Sequence, residues 1–104
     1  MNSKVRKHLP FLEYITRLST DQRQKILKNT KKKDLQIVFD ILLNLDRGNL
    51  PVEPNLVEQL RPYAAIIAKI IAPRISLQKR KDTLLKEDLW PMLIAPLLPL
   101  LRSP

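Results

Sequence analysis

Apolar residues recur three and four positions apart along most of this chain, the spacing that lines one face of an α-helix. Phe11, Leu12, Ile15 and Leu18 mark a first helix, with Pro10 tolerable in its opening turn. Ser19 is placed to cap a second helix, because Gln22 lies three residues on and Asp21 favours the positive helix end. That helix is expected to stop near Asn29. With only Ile26 and Leu27 to bury, it is expected on the surface, with Arg23, Lys25 and Lys28 exposed. From Asp34 to Arg47 the residues are apolar apart from Asp34, Asp46 and a narrow stripe of Gln36, Asp40, Asn44 and Arg47, as in a central helix. Gly48 is positioned to end it in the left-handed conformation.

After the loop from Asn49 to Glu53, Pro54 opens a helix with Leu56, Leu60, Ala64, Ile67 and Ile71 at core spacing. Pro62 removes one backbone donor from it, so a kink or two helices meeting is expected there. Ser76 then caps a last basic helix carrying Leu77, Leu84 and Leu85. No run alternates between apolar and polar residues, so no strand is assigned. The expected fold is all-α: a single compact bundle of about five helices with a proline-rich apolar C-terminal segment. Residues 1–88 form the basic helical domain, and residues 89–104 either belong to it or serve as a docking tail.

A chain of 104 residues fits one domain. Its 44% hydrophobic content is too high for a disordered tail, and its 28% charged content too high for a membrane-embedded protein. Without cysteine there are no disulfides, thiolate metal sites or thiol nucleophiles, and a single glycine cannot supply a phosphate-cradling loop. Glu13 and Arg17 break the only candidate secretory stretch; the basic start also has the balance of a mitochondrial presequence, a reading ranked below an amphipathic first helix. His8, the one imidazole, is read as a surface residue without an acidic partner. Asp34, Asp40 and Asp46 stand six residues apart on a helix and so diverge. No catalytic residue, metal site or cofactor is assigned, and the chain is read as a protein other than an enzyme.

The net charge of +9 is unevenly spread. Residues 1–33 hold ten basic and two acidic side chains, residues 34–60 one against five, and residues 61–88 seven against three. Two basic blocks thus flank an acidic, apolar centre. Lysine or arginine that displaces counterions from a nucleic acid adds affinity independent of base sequence. The candidate contacts are Arg23, Lys25, Lys28, Lys31, Lys32, Lys33, Lys79, Arg80 and Lys81. Read structurally, the same charges are a solvated surface that keeps a small apolar domain in solution. Few aromatics remain to stack on bases, and the helix after Lys33 is too apolar and too acidic for a major groove.

Leu89 to Leu101 is thirteen residues without charge, short of the about twenty that span a bilayer. It has no polar face. One reading has it close the protein's own core. The other sends Trp90, Met92, Leu93, Ile94, Leu97 and Leu98 into a partner's groove or a membrane interface.

The blocks Leu9-Pro10-Phe11-Leu12, Gln22 to Leu27, Asn44-Leu45, Gly48 to Pro51, Ile75 to Lys81 and Leu93 to Leu98 resemble the small basic proteins of adintoviruses and related Maverick-type elements. The tail is also similar to the Leu/Ile/Pro-rich end of the adenovirus core peptide mu. That family usually has a Gly-Gly pair before the tail; this chain has Lys86-Glu87-Asp88, which gives no support to a maturation site of that type. The resemblance implies a virion core or minor capsid role, with nucleic acid and a capsid protein or membrane as partners, oligomerisation possible, and the virion and host nucleus as location. The rival reading is an intracellular helical module for protein interaction or membrane activity, whose charge serves anionic lipid or an acidic protein.

Overall fold

Capping and proline chemistry set the helix boundaries. The computed structural model describes residues 3–86 and 88–102. Glu87 and residues 103–104, which fall within the two segments expected from the sequence, lie outside the described residues. Helix α1 (Ser3–Lys7) leads directly into α2 (Leu9–Arg17), with Pro10 in the first turn of α2. Helix α3 (Thr20–Lys28) opens on the expected capping box: Gln22 N–H donates to Ser19 Oγ at 3.3 Å, and Ser19 N–H donates to Gln22 Oε1 at 3.2 Å. It ends at Asn29, one residue past its last turn.

Helix α4 (Lys32–Asp46) is the central element and buries Leu35, Ile37, Val38, Phe39, Ile41 and Leu42. Its exposed side is the stripe anticipated from the sequence, where Gln36 Nε2 donates to Asp40 Oδ1 at 3.1 Å. Gly48 follows at φ 73°, the left-handed geometry that a Cβ disfavours. Helix α5 (Pro54–Leu60) then passes through a 3₁₀ turn, Arg61–Tyr63, into α6 (Ala64–Ile71). This is the break required by Pro62. The turn also corrects one expectation. Three residues per turn instead of 3.6 rotates the following helix, so Ile67 and Ile70 face the core while Ala64 is exposed.

Helix α7 (Leu77–Lys86) starts where Lys79 N–H donates to Ser76 Oγ at 3.3 Å. The chain reverses at Asp88, which holds a positive φ of 46°. The apolar segment then breaks into α8 (Trp90–Leu93), a 3₁₀ turn at Ala95–Leu97, and α9 (Leu98–Arg102). Pro91, Pro96 and Pro99 each stand second in one of these short elements, where a missing N–H costs no intrahelical bond. The described residues are helical and turn, with no strand, in more and shorter pieces than the about five helices expected.

One core joins all of this. Helix α4 packs on α6, α6 on α7, α3 on α7, and α9 on both α1 and α2. Trp90, Leu93, Ile94, Leu97 and Leu101 are buried beside Leu12, Ile15, Val38, Leu42 and Ile70. The indole is anchored as well as packed: Trp90 Nε1 donates to Thr16 Oγ1 at 2.9 Å, and Thr16 Oγ1 donates to the Leu12 carbonyl at 2.8 Å. Arg102 Nε donates to Glu13 Oε1 at 2.6 Å, pinning the end of α9 to α2.

This packing corrects the docking expectation for five of its six residues. Trp90, Leu93, Ile94, Leu97 and Leu98 lie inside the protein's own core, and only Met92 is exposed. Burying one such side chain yields about 1.5–3 kcal/mol, and a small bundle needs that contribution from within.

Candidate nucleic-acid interface

The turn between α3 and α4 determines where the lysines point. Asn29 Nδ2 donates to the Lys25 carbonyl at 3.0 Å and Thr30 Oγ1 to the Ile26 carbonyl at 2.7 Å. Both polar side chains therefore fold back onto the end of α3. Lys31 is extended, at φ −65° and ψ 148°, and its carbonyl accepts the N–H of Asp34 and of Leu35. No side chain caps α4. Lys31, Lys32 and Lys33 are all exposed, so three cations stand at the positive end of the helix dipole.

The three lysines fan into three neighbouring hollows. Lys31 lines one with Lys25, Asn29, Thr30 and Asp34. Lys33 lines a second with Lys4, Lys7, His8, Asp34 and Asp40. Lys32 lines a third with Thr30, Leu35, Leu77, Gln78 and Lys81. The first and second share Asp34, and the first and third share Thr30, so the hollows are contiguous. Helices α1, α3, α4 and α7 thus bring cations from both basic blocks of the sequence to one region. Lys4 and Lys7 were not among the singled-out residues; the signal for them was the overall excess of the first 33 positions.

Other candidates are placed differently. Arg23 is a structural residue, only 5% exposed, which corrects its assignment to the surface. Its Nε donates to the Ile15 carbonyl at 3.1 Å and its Nη2 to the Leu18 carbonyl at 2.7 Å. Its Nη1 faces Asp88. Tying off the carbonyl end of α2 consumes the donors a phosphate would have used.

The cluster 79–81 splits, because consecutive residues on a helix stand about 100° apart. Lys79 is exposed. Arg80 lies 5.0 Å over the Phe39 ring centroid, a cation–π contact worth about 0.5–1 kcal/mol at partly exposed sites, and its buried Nε has no acceptor among the described residues. Lys81 turns inward, 7% exposed, and donates to the Lys28 carbonyl. Burial of Lys81 corrects the expectation of a surface residue, although it still borders the third hollow. Lys28 itself remains exposed.

His8 was expected to stand without an acidic partner. Its Nε2 is 3.3 Å from Asp34 Oδ1 and its Nδ1 2.7 Å from the Lys4 carbonyl. The missed neighbour comes from α4, 26 positions away in sequence. Asp34 and Asp40 lower the field in the first two hollows, whereas among the described residues no carboxylate lines the third.

Among the described residues, no group of three or more His, Cys, Asp or Glu side chains is arranged to hold a metal ion, and no helix is long and apolar enough to cross a membrane. On the far end of α4 a mostly apolar hollow of about 390 Å³ is lined by Leu45, Leu50, Val52, Val57, Leu60, Ala64 and Ile67, together with Asp46, Gly48 and Arg61. Sequence patterning missed it, because its lining comes from the end of α4, the loop after Gly48, and α5 and α6, which meet only in the folded chain. In comparisons with known proteins, the chain matches no family model, no curated protein and no solved structure.

Proposed function

We propose that this protein binds the phosphate backbone of nucleic acid, without reading base sequence, through the lysine surface at the start of α4. The observation that carries the reading is the convergence of Lys4, Lys7, Lys25, Lys31, Lys32, Lys33 and Lys81 on three adjoining hollows. Cations at this density attract a polyanion and gain affinity by releasing its counterions. Base readout has no comparable support. Phe39 and most aliphatic side chains of α4 are buried, and its polar stripe includes Asp40, which phosphates repel.

A structural role in a virion, as core or minor capsid component, is the setting implied by the resemblance to adintovirus and Maverick-type proteins and rests on those sequence blocks. Attachment to a capsid protein or membrane would have to use surfaces other than the buried tail.

Retention of a short DNA duplex on a filter, measured from low to moderate salt, tests the reading. Affinity is expected to fall with salt at a log–log slope of about −0.9 for each phosphate neutralised. Absence of retention at low salt overturns it. Vesicles of anionic lipid, run in parallel, separate preference for nucleic acid from general attraction to negative surfaces.

A further inference from the structure

We propose that the third hollow, between the α3–α4 turn and α7, is a phosphate-binding pocket built around the buried ammonium of Lys81. It deepens the backbone-binding reading, on which it rests only for what carries the phosphate.

A buried lysine is costly unless its charge is met. Lys81 is 7% exposed, yet no carboxylate among the described residues pairs with it. Its one hydrogen-bond partner there is the Lys28 carbonyl, in the last turn of α3. An ammonium has three protons to donate, so two are left for another acceptor. The carbonyl, at the negative end of the α3 dipole, fixes the group in place without neutralising it.

What surrounds that ammonium is arranged for an anion. The hollow holds about 170 Å³, room for a tetrahedral oxyanion, and Lys32 stands exposed beside it. Gln78 uses one amide proton on Asp82 Oδ1 at 2.9 Å and keeps a second. Leu35 and Leu77 form apolar walls, against which charge–charge attraction is less screened than in open solvent. The two neighbouring hollows are each lined by a carboxylate, and this one by none among the described residues. Two cations and a free amide proton, with the one nearby carboxylate, Asp82, held on Gln78 and outside the lining, select phosphate over a neutral or cationic ligand. That chemistry is shared by a nucleic-acid phosphodiester and by free inorganic phosphate.

The test uses the full chain, ¹⁵N-labelled, titrated separately with inorganic phosphate and with a short DNA duplex at low salt. The expected result is movement of the Thr30, Lys32, Gln78 and Lys81 amide signals with both. With Lys81→Met, which keeps the length of the side chain and removes the charge, the phosphate response is expected to vanish and the salt slope of duplex binding to fall by about 1. Should that variant not fold, Lys32→Ala and Gln78→Ala, at exposed positions, give the same reading through a weakened phosphate response, with Arg61→Ala as a control that leaves it unchanged. Duplex binding with those four amides unmoved by either ligand overturns the pocket and leaves the backbone reading standing. Phosphate saturating the four amides while the duplex fails to bind supports the pocket and overturns the nucleic-acid reading.

Discussion

The Arg23 guanidinium meets Asp88 65 positions further along the chain, with Nη1 2.8 and 2.7 Å from its two carboxylate oxygens. Asp88 also accepts from Thr20 Oγ1 at 2.8 Å. Asp88 is the residue at positive φ where α7 gives way to the apolar segment, so this contact holds the reversal that turns the segment back over the core. Arg23 simultaneously donates to the carbonyls of Ile15 and Leu18, joining the end of α2, the start of α3 and the end of α7.

Removing Asp88 strands the buried Arg23 guanidinium, and removing Arg23 leaves the partly exposed Asp88 carboxylate without its ion pair. Arg23→Met and Asp88→Ala are each expected to destabilise the fold by about 3–5 kcal/mol, as a shift in the urea midpoint. The double variant should lose less than the sum of the singles. Full additivity would show that the two groups do not interact. Asp88→Asn should be milder than Asp88→Ala, since asparagine tolerates the left-handed region better.

Truncation after Asp88 is expected to abolish cooperative unfolding followed by circular dichroism. The lost segment supplies seven buried apolar side chains, Leu89, Trp90, Leu93, Ile94, Leu97, Leu98 and Leu101. At about 1.5–3 kcal/mol each they match or exceed the about 5–15 kcal/mol that typically separates folded from unfolded states. A truncated chain that melted cooperatively near the parent temperature would contradict the core described above. The single change Trp90→Ala should cost about 3–5 kcal/mol.

Gly48→Ala isolates a backbone effect. A Cβ at this position meets no atom within 4 Å, so the cost is conformational, about 1–2 kcal/mol for forcing alanine to the left-handed φ of 73°. Gly48→Asn should recover part of it. Equal stability of the glycine and alanine forms would mean that the turn relaxes.

Exposed lysines at the start of α4 are expected to affect binding without affecting folding. Lys31→Ala, Lys32→Ala and Lys33→Ala should each change stability by less than about 0.5 kcal/mol. Each should lower the salt slope of duplex binding by about 1. Arg61→Ala, at a position ion-paired with Glu58 beside the apolar hollow, should leave the slope unchanged. Uniform loss across all four variants would point to diffuse charge instead of a localised surface.

Local chemistry was readable from neighbouring residues. The capping box at Ser19 and Gln22, the glycine that ends α4, the break at Pro62 and the buried face of α4 each depend on groups within a few positions of one another. Helical periodicity and dihedral preference are properties of such short windows. The uneven distribution of charge was equally plain.

What the order of residues left open was which distant groups meet. Arg23 and Arg80 look like any cation on a basic helix; only the approach of Asp88 and Phe39 makes one an ion-paired clamp and the other a lid on an aromatic ring. Lys81 lies inside and Lys79 outside because α7 rests against α3, a relation without a local signature. The fate of the apolar segment was settled in the same way. A stretch with no polar face must be covered, and the choice between a partner and its own bundle depends on whether a matching apolar surface is exposed nearby in three dimensions. Here α1 and α2 provide it.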